Sequence, residues 1–193
     1  MKTKEITVVE YIKTTLLNDI DYVRKEKPYL AFFLIASAIE FLGKCMSSSD
    51  DWHQGNMSQY DFEHAICGLS SLEEYKKYTS ELKKNKRGKF INPSISLYKH
   101  LRCGLVHAML PEDTIILSNG ANKLEEENGH LTIYIDTFYD DFKKACDELI
   151  AGDKYWNGKK KDSTFFVVDE KISEDGQLHA STGKTSSINS VKQ

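Results

Sequence analysis

Between Pro28 and Cys45 the chain is apolar nearly all round, with only Ser37, Glu40 and Lys44 as strongly polar side chains among its aliphatic and aromatic residues. A helix without a polar face must lie inside something, because only other apolar surface can cover all its sides. Pro28 suits the first turn of such a helix, where its missing N–H is not needed, so a helix of about 17 residues is predicted to open there. Its apolar stretch from Tyr29 to Ile39 falls short of the roughly 20 residues that span a bilayer. The expectation is therefore a central core helix with others wrapped around it, and no membrane partner.

The wrapping helices are legible from their periodicity. Ile6, Val9, Ile12, Leu16, Ile20 and Val23 recur at three- and four-residue steps, predicting a first helix from Glu5 to Glu26. After a loop at Ser47 to Asp51, a third helix is expected between Ser58 and Leu82, with an interruption near Gly68-Leu69-Ser70-Ser71. Asn92-Pro93-Ser94 reads as the cap and start of a fourth, with Leu97, Leu101, Leu105 and Ala108 facing inward and Pro111 beyond its end. The period then changes. Thr114 to Leu117 and Leu131 to Asp136 are β-rich and separated by Asn119-Gly120 and Asn128-Gly129, which predicts a long-looped β-hairpin over about residues 113–136. Phe138, Phe142, Ala145 and Leu149 carry a last helix stopped by Gly152. The expected fold is mainly α: a bundle of four to five helices with a small β-hairpin inserted before the last.

At 193 residues the chain suits one core. Residues 1–152 are expected to form the helical domain, and 153–193 a polar, partly disordered C-terminal extension in which Phe165 to Val168 docks as a strand or clip. Thr182-Gly183-Lys184-Thr185 is shaped like the end of a phosphate-binding loop, but no leading strand or following apolar helix supports that reading. A net charge of −3 gives no global attraction to nucleic acid or anionic lipid. Any polyanion site must be local. The start of the chain has no apolar leader, and Cys45, Cys67, Cys103 and Cys146 are scattered like free buried thiols, so a cytoplasmic location is expected.

Arg102 and His107 stand five positions apart on the helix of leucines. In an α-helix they would lie about 140° apart, flanking a second, partly apolar face with Cys103, Val106 and Leu110. Such a face suits a partner, and a homodimer across it would bring two Arg-His pairs together. Chemically the pair supplies what RNA cleavage without a metal or cofactor needs. The histidine titrates near neutrality and can move a proton, and the arginine is a fixed cation for the charge that builds on a phosphate. The 2′-hydroxyl of RNA is itself the nucleophile. The plainer alternative has His107 complementing the dipole at the helix end and Arg102 as a surface residue.

Around that pair, Glu40 in so apolar a helix needs a partner, and Lys44 one turn on is available. An intrahelical ion pair and a role in orienting Arg102 or His107 are both open. Between Lys76 and Arg102 nine Lys or Arg residues stand against one acid, Glu81. Lys83, Lys84, Lys86, Arg87, Lys89 and Lys99 are thereby candidates for contact with an RNA backbone. His64 with Cys67 and His100 with Cys103 share a His-x-x-Cys spacing that two such pairs would need for zinc, yet scattered helical cysteines usually pack, and no metal is expected.

Arg102-Cys103-Gly104-Leu105-Val106-His107 resembles the R-x4-H signature of the HEPN superfamily, small helical bundles many of which are metal-independent endoribonucleases. The resemblance extends to Glu40 and Lys44, since such families often carry an acidic residue and a lysine four apart on an earlier apolar helix, and to the order of elements from Glu5 to Ile150. It implies Arg102 and His107 as catalytic residues with Glu40, Lys44 and Cys103 in support. Catalytic members often have Asn, Asp or His where Cys103 stands, and other members bind a protein or nucleotide without cleaving anything.

Overall fold

Helix α1 (residues 8–26) starts where Thr7 accepts the amide of Glu10 on its hydroxyl, at 3.1 Å. The computed structural model describes residues 3–48, 52, 57–156 and 158–168. The expected start at Glu5 is corrected by three residues, because Thr3–Thr7 (β1) is a strand, paired antiparallel with Thr164–Val168 (β5) at the far end of the chain. Periodicity along one segment cannot see such a partner. α1 stops at Lys27, whose φ of −142° is non-helical, because the ring of the following proline disfavours helical backbone there.

Helix α2 (Pro28–Met46) runs for 19 residues. It is two residues longer than expected and by length and composition apolar enough to cross a membrane, although 61% of its apolar window is buried within the protein. It touches α1, α3 (Ser58–Gly68), α4 (Leu97–Ala108) and α5 (Ile135–Ala151). Phe32 stacks on Phe138 of α5 at 6.1 Å between ring centroids. Where α2 crosses α3 the backbones nearly meet. A Cβ on Gly43 would lie 1.7 Å from the carbonyl oxygen of Asp61, so only glycine allows this crossing.

Leu69 is extended and interrupts the third helical region where the sequence placed a break; Ser70–Tyr78 then continues as a 3₁₀ helix. Helix α4 opens at Leu97 with Ser96 as its cap, the hydroxyl accepting the amide of Lys99 at 3.2 Å. The expected start at Asn92-Pro93-Ser94 is therefore early by one turn. Residues in α4 are wound as a π-helix, with bonds reaching five residues back. It ends at Met109 in the left-handed region, φ 58°, after which the chain folds back along it. Gly104 permits that return, since a Cβ there would lie 2.6 Å from the carbonyl oxygen of Leu110.

The β insertion differs from the expected hairpin. Ile115–Ser118 (β2) and His130–Tyr134 (β4) are neighbours but run parallel; the hairpin joins Glu125–Glu127 (β3) to β4. Asn128 and Gly129, with φ of 51° and 80°, form its two-residue turn. The segment between β2 and β3 crosses over before the hairpin begins, so β4 returns alongside β2 in the same direction as β2. Two β-rich runs with turn pairs between them fit either topology. At the other end of the fold, Lys160 is buried and donates to the carbonyls of Lys44 and Ser47, at 2.6 and 3.1 Å, covering the C-terminus of α2. The expected polar tail beyond Val168, with Thr182 to Thr185, lies outside the described residues, as do Ser49 to Asp51.

Candidate active site on helix α4

Arg102 does not project freely from α4. Its guanidinium lies 2.6 Å from Glu40 of α2, with side-chain exposures of 15% and 9%. Lys44 approaches the other carboxylate oxygen of Glu40 at 3.4 Å, and the Ser58 hydroxyl donates to that same oxygen at 2.9 Å. Glu40 thus has two roles that the sequence left as alternatives: it pairs within its own helix and it holds Arg102. Glu40 is the residue through which α2, α3 and α4 meet. Neither Arg102 Nε nor the Glu40 oxygen facing the guanidinium makes a hydrogen bond, so the two side chains are held by close charge attraction.

Tyr98, four residues before Arg102, places its ring 5.8 Å from the guanidinium carbon. Burial, reinforced by the neighbouring Cys103 thiol and by Glu40, pushes the Tyr98 hydroxyl up to about 12, with Arg102 opposing. Cys103 is half-buried and faces Tyr98 in this way. Asp61, one turn after Ser58, is buried with one carboxylate oxygen unpaired. Its pKa is raised, first by burial, with Lys44 and Lys160 opposing and Glu40 adding to it. Nothing along the chain points to Ser58 or Asp61, because the helix that carries them is brought to α2 by the close crossing at Gly43. Tyr98 was findable, since its spacing from Arg102 is that of neighbours on a helix.

His107 is exposed near the end of α4, and among the described residues no hydrogen bond or ion pair to it is found. The π-winding changes its relation to Arg102. When each amide bonds five residues back, a residue and the fifth one after it lie nearer to one face than the wide angle expected of an α-helix. Val106 is half-buried, whereas Leu110 is exposed and sits on the returning segment, off the helix that the sequence placed it on. Beside it, the Tyr29 hydroxyl donates to the carbonyl of Met109 at 2.6 Å. Tyr29, Leu30, Met109 and Leu110 all stay exposed, from 40% to 63%.

The basic segment is divided by the fold. Lys83, Lys84, Lys86, Arg87 and Lys89 are exposed on a tight turn in which Lys84 pairs with Phe90, and the Asn85 side chain accepts the amides of Arg87 and Lys89. Lys83 is 3.4 Å from Glu81, while Lys84 lies over the Phe90 ring. Lys99 is apart from that turn, 3.9 Å from Glu112. The two His-x-x-Cys pairs do not converge. Cys67 contacts Thr79 and His100 contacts Thr114, and no group of three or more metal-ligating side chains gathers among the described residues.

No family model, curated protein or solved structure matches the chain. What can be said of this site comes from its own geometry.

Proposed function

We propose that the protein is of the HEPN type and acts as a metal-independent endoribonuclease in the cytoplasm. The observation that carries this reading is the Arg102 guanidinium held by Glu40 on the same helix as His107. In this mechanism His107 takes the proton from the attacking 2′-hydroxyl or gives one to the departing 5′-oxygen, and Arg102 stabilises the charge on the phosphate between them. The bond formed is 2′-O to phosphorus and the bond broken is phosphorus to 5′-O, leaving a 2′,3′-cyclic phosphate and a 5′-hydroxyl. Glu40, Lys44 and Cys103 act by fixing Arg102, Cys103 through Tyr98. The basic turn from Lys83 to Lys89 guides the RNA backbone, with Lys99 in a lesser part because Glu112 is near it.

A homodimer formed over α4 would cover Tyr29, Leu30, Met109 and Leu110, whose exposure supports an interface there. That same exposure favours a second reading, a HEPN-like module that binds a protein or nucleotide partner through this face and cleaves nothing. The experiment is cleavage of RNA in the presence of EDTA. Activity that falls by at least about a hundredfold in both Arg102→Ala and His107→Ala supports the ribonuclease. Equal activity in parent and variants rejects it, and loss of a stable complex on Val106→Glu without any cleavage establishes the binding module.

A further inference from the structure

His100 is the second histidine of α4 and is buried, one turn before Gly104. Its Nδ1 accepts the backbone amide of Ser96 at 3.3 Å and lies 2.7 Å from the Thr114 hydroxyl. Its Nε2 is 3.6 Å from a carboxylate oxygen of Glu112. The backbone is tied at the same place, because the amide of Glu112 donates to the carbonyl of His100 at 2.8 Å. Thr114 and Glu112 belong to the segment that folds back over Gly104, so one imidazole holds both the cap of α4 and the strap returning from its other end.

The protonation state follows from the donors. A backbone amide can only donate, so Nδ1 must keep its lone pair and the proton of the neutral ring sits on Nε2, facing Glu112. Hydroxyl, imidazole and carboxylate stand in the order of a catalytic relay. Here, however, the lone pair a base would use is already shared with Ser96, which makes this a clasp. A second proton on the ring would put an N–H against the Ser96 N–H. Burial accordingly lowers the His100 pKa from its ordinary value of 6.5; Glu112 on the strap opposes that shift and Lys99 on α4 adds to it.

We infer that His100 is a pH-sensitive latch beneath the Met109–Thr114 strap, and that its protonation turns a ring N–H against the Ser96 amide and unfastens the cap of α4. The sign follows from the lowered pKa: the latch is closed above 6.5 and is lost as pH falls through the lower folded value. Ser96 caps the helix that carries Arg102 and His107, so release loosens the start of that helix. That consequence for cleavage rests on the proposed function, whereas the latch itself does not.

Hydrogen exchange of the full chain tests it without any RNA. The amides of Ser96 and Lys99, bonded to His100 Nδ1 and to the Ser96 hydroxyl, report the cap. Between about pH 7 and about pH 5 their protection should fall about tenfold beyond the intrinsic pH effect. His100→Asn puts a carbonyl oxygen near the position of Nδ1 and cannot titrate, so its cap should keep the parent's neutral-pH protection at both values. Protection that is level with pH in the parent, or that falls equally in His100→Asn, overturns the latch. The imidazole nitrogen resonances supply an independent check: a neutral ring with its proton on Nδ1 at pH 7 would overturn it too.

Discussion

Three polar side chains from three helices, Arg102, Lys44 and Ser58, converge on the carboxylate of Glu40. Replacing one member of a buried ion pair leaves the other charged and enclosed, which costs more than the pair contributes. Glu40→Gln keeps the shape and removes the charge, so we expect it to lower stability by about 3 kcal/mol in urea unfolding. Glu40→Gln combined with Arg102→Leu should recover part of that loss, and no recovery would mean the two side chains are not coupled. The sequence identified Glu40 as a residue in need of a partner and Lys44 as one candidate. It could not select Arg102, since nothing along the chain fixes how α2 and α4 cross.

At the scale of elements, single polar groups fasten one segment to another. The carboxylate of Glu148 on α5 receives the amides and hydroxyls of Ser70 and Ser71, all at 3.0 Å, and the Tyr155 hydroxyl at 2.5 Å. Burial would raise its pKa, but the bonds from Tyr155, Ser70 and Ser71 outweigh it and bring it down to about 2. Its contribution is therefore present above the ordinary 4.5 and is lost as pH falls toward about 2. Glu148→Gln should cost about 1 to 2 kcal/mol at neutral pH, allowing for partial exposure. The gap between parent and variant in thermal unfolding should close in acid, and a gap that stays constant with pH would refute the assignment. Element types were mostly readable from period and turn residues. Element ends were not, because Thr7 and Ser96 act as caps only once β5 and the strap have claimed the neighbouring backbone.

Over the whole molecule, a net charge of −3 coexists with an exposed basic turn from Lys83 to Lys89. If that turn tracks single-stranded RNA, each phosphate contact adds about 0.7 to the dependence of log affinity on log salt. Replacing Lys84, Lys86 and Arg87 by Gln should therefore lower that slope by about 2, measured by anisotropy of a labelled oligoribonucleotide in an Arg102→Ala background. An unchanged slope would place the RNA path elsewhere. The sequence by itself determined that α2 must be central, that helices surround it, and that Arg102, His107 and Glu40 are the residues to watch, because hydrophobic period and the cost of buried charge are local properties. The tertiary structure decided the rest. The parallel β2–β4 pairing, the grip of Glu40 on Arg102 and the clasp of His100 on its strap exist only where distant segments meet, as they also do at the close approaches to Gly43 and Gly104. Which backbones meet there is set by packing between segments distant in the chain.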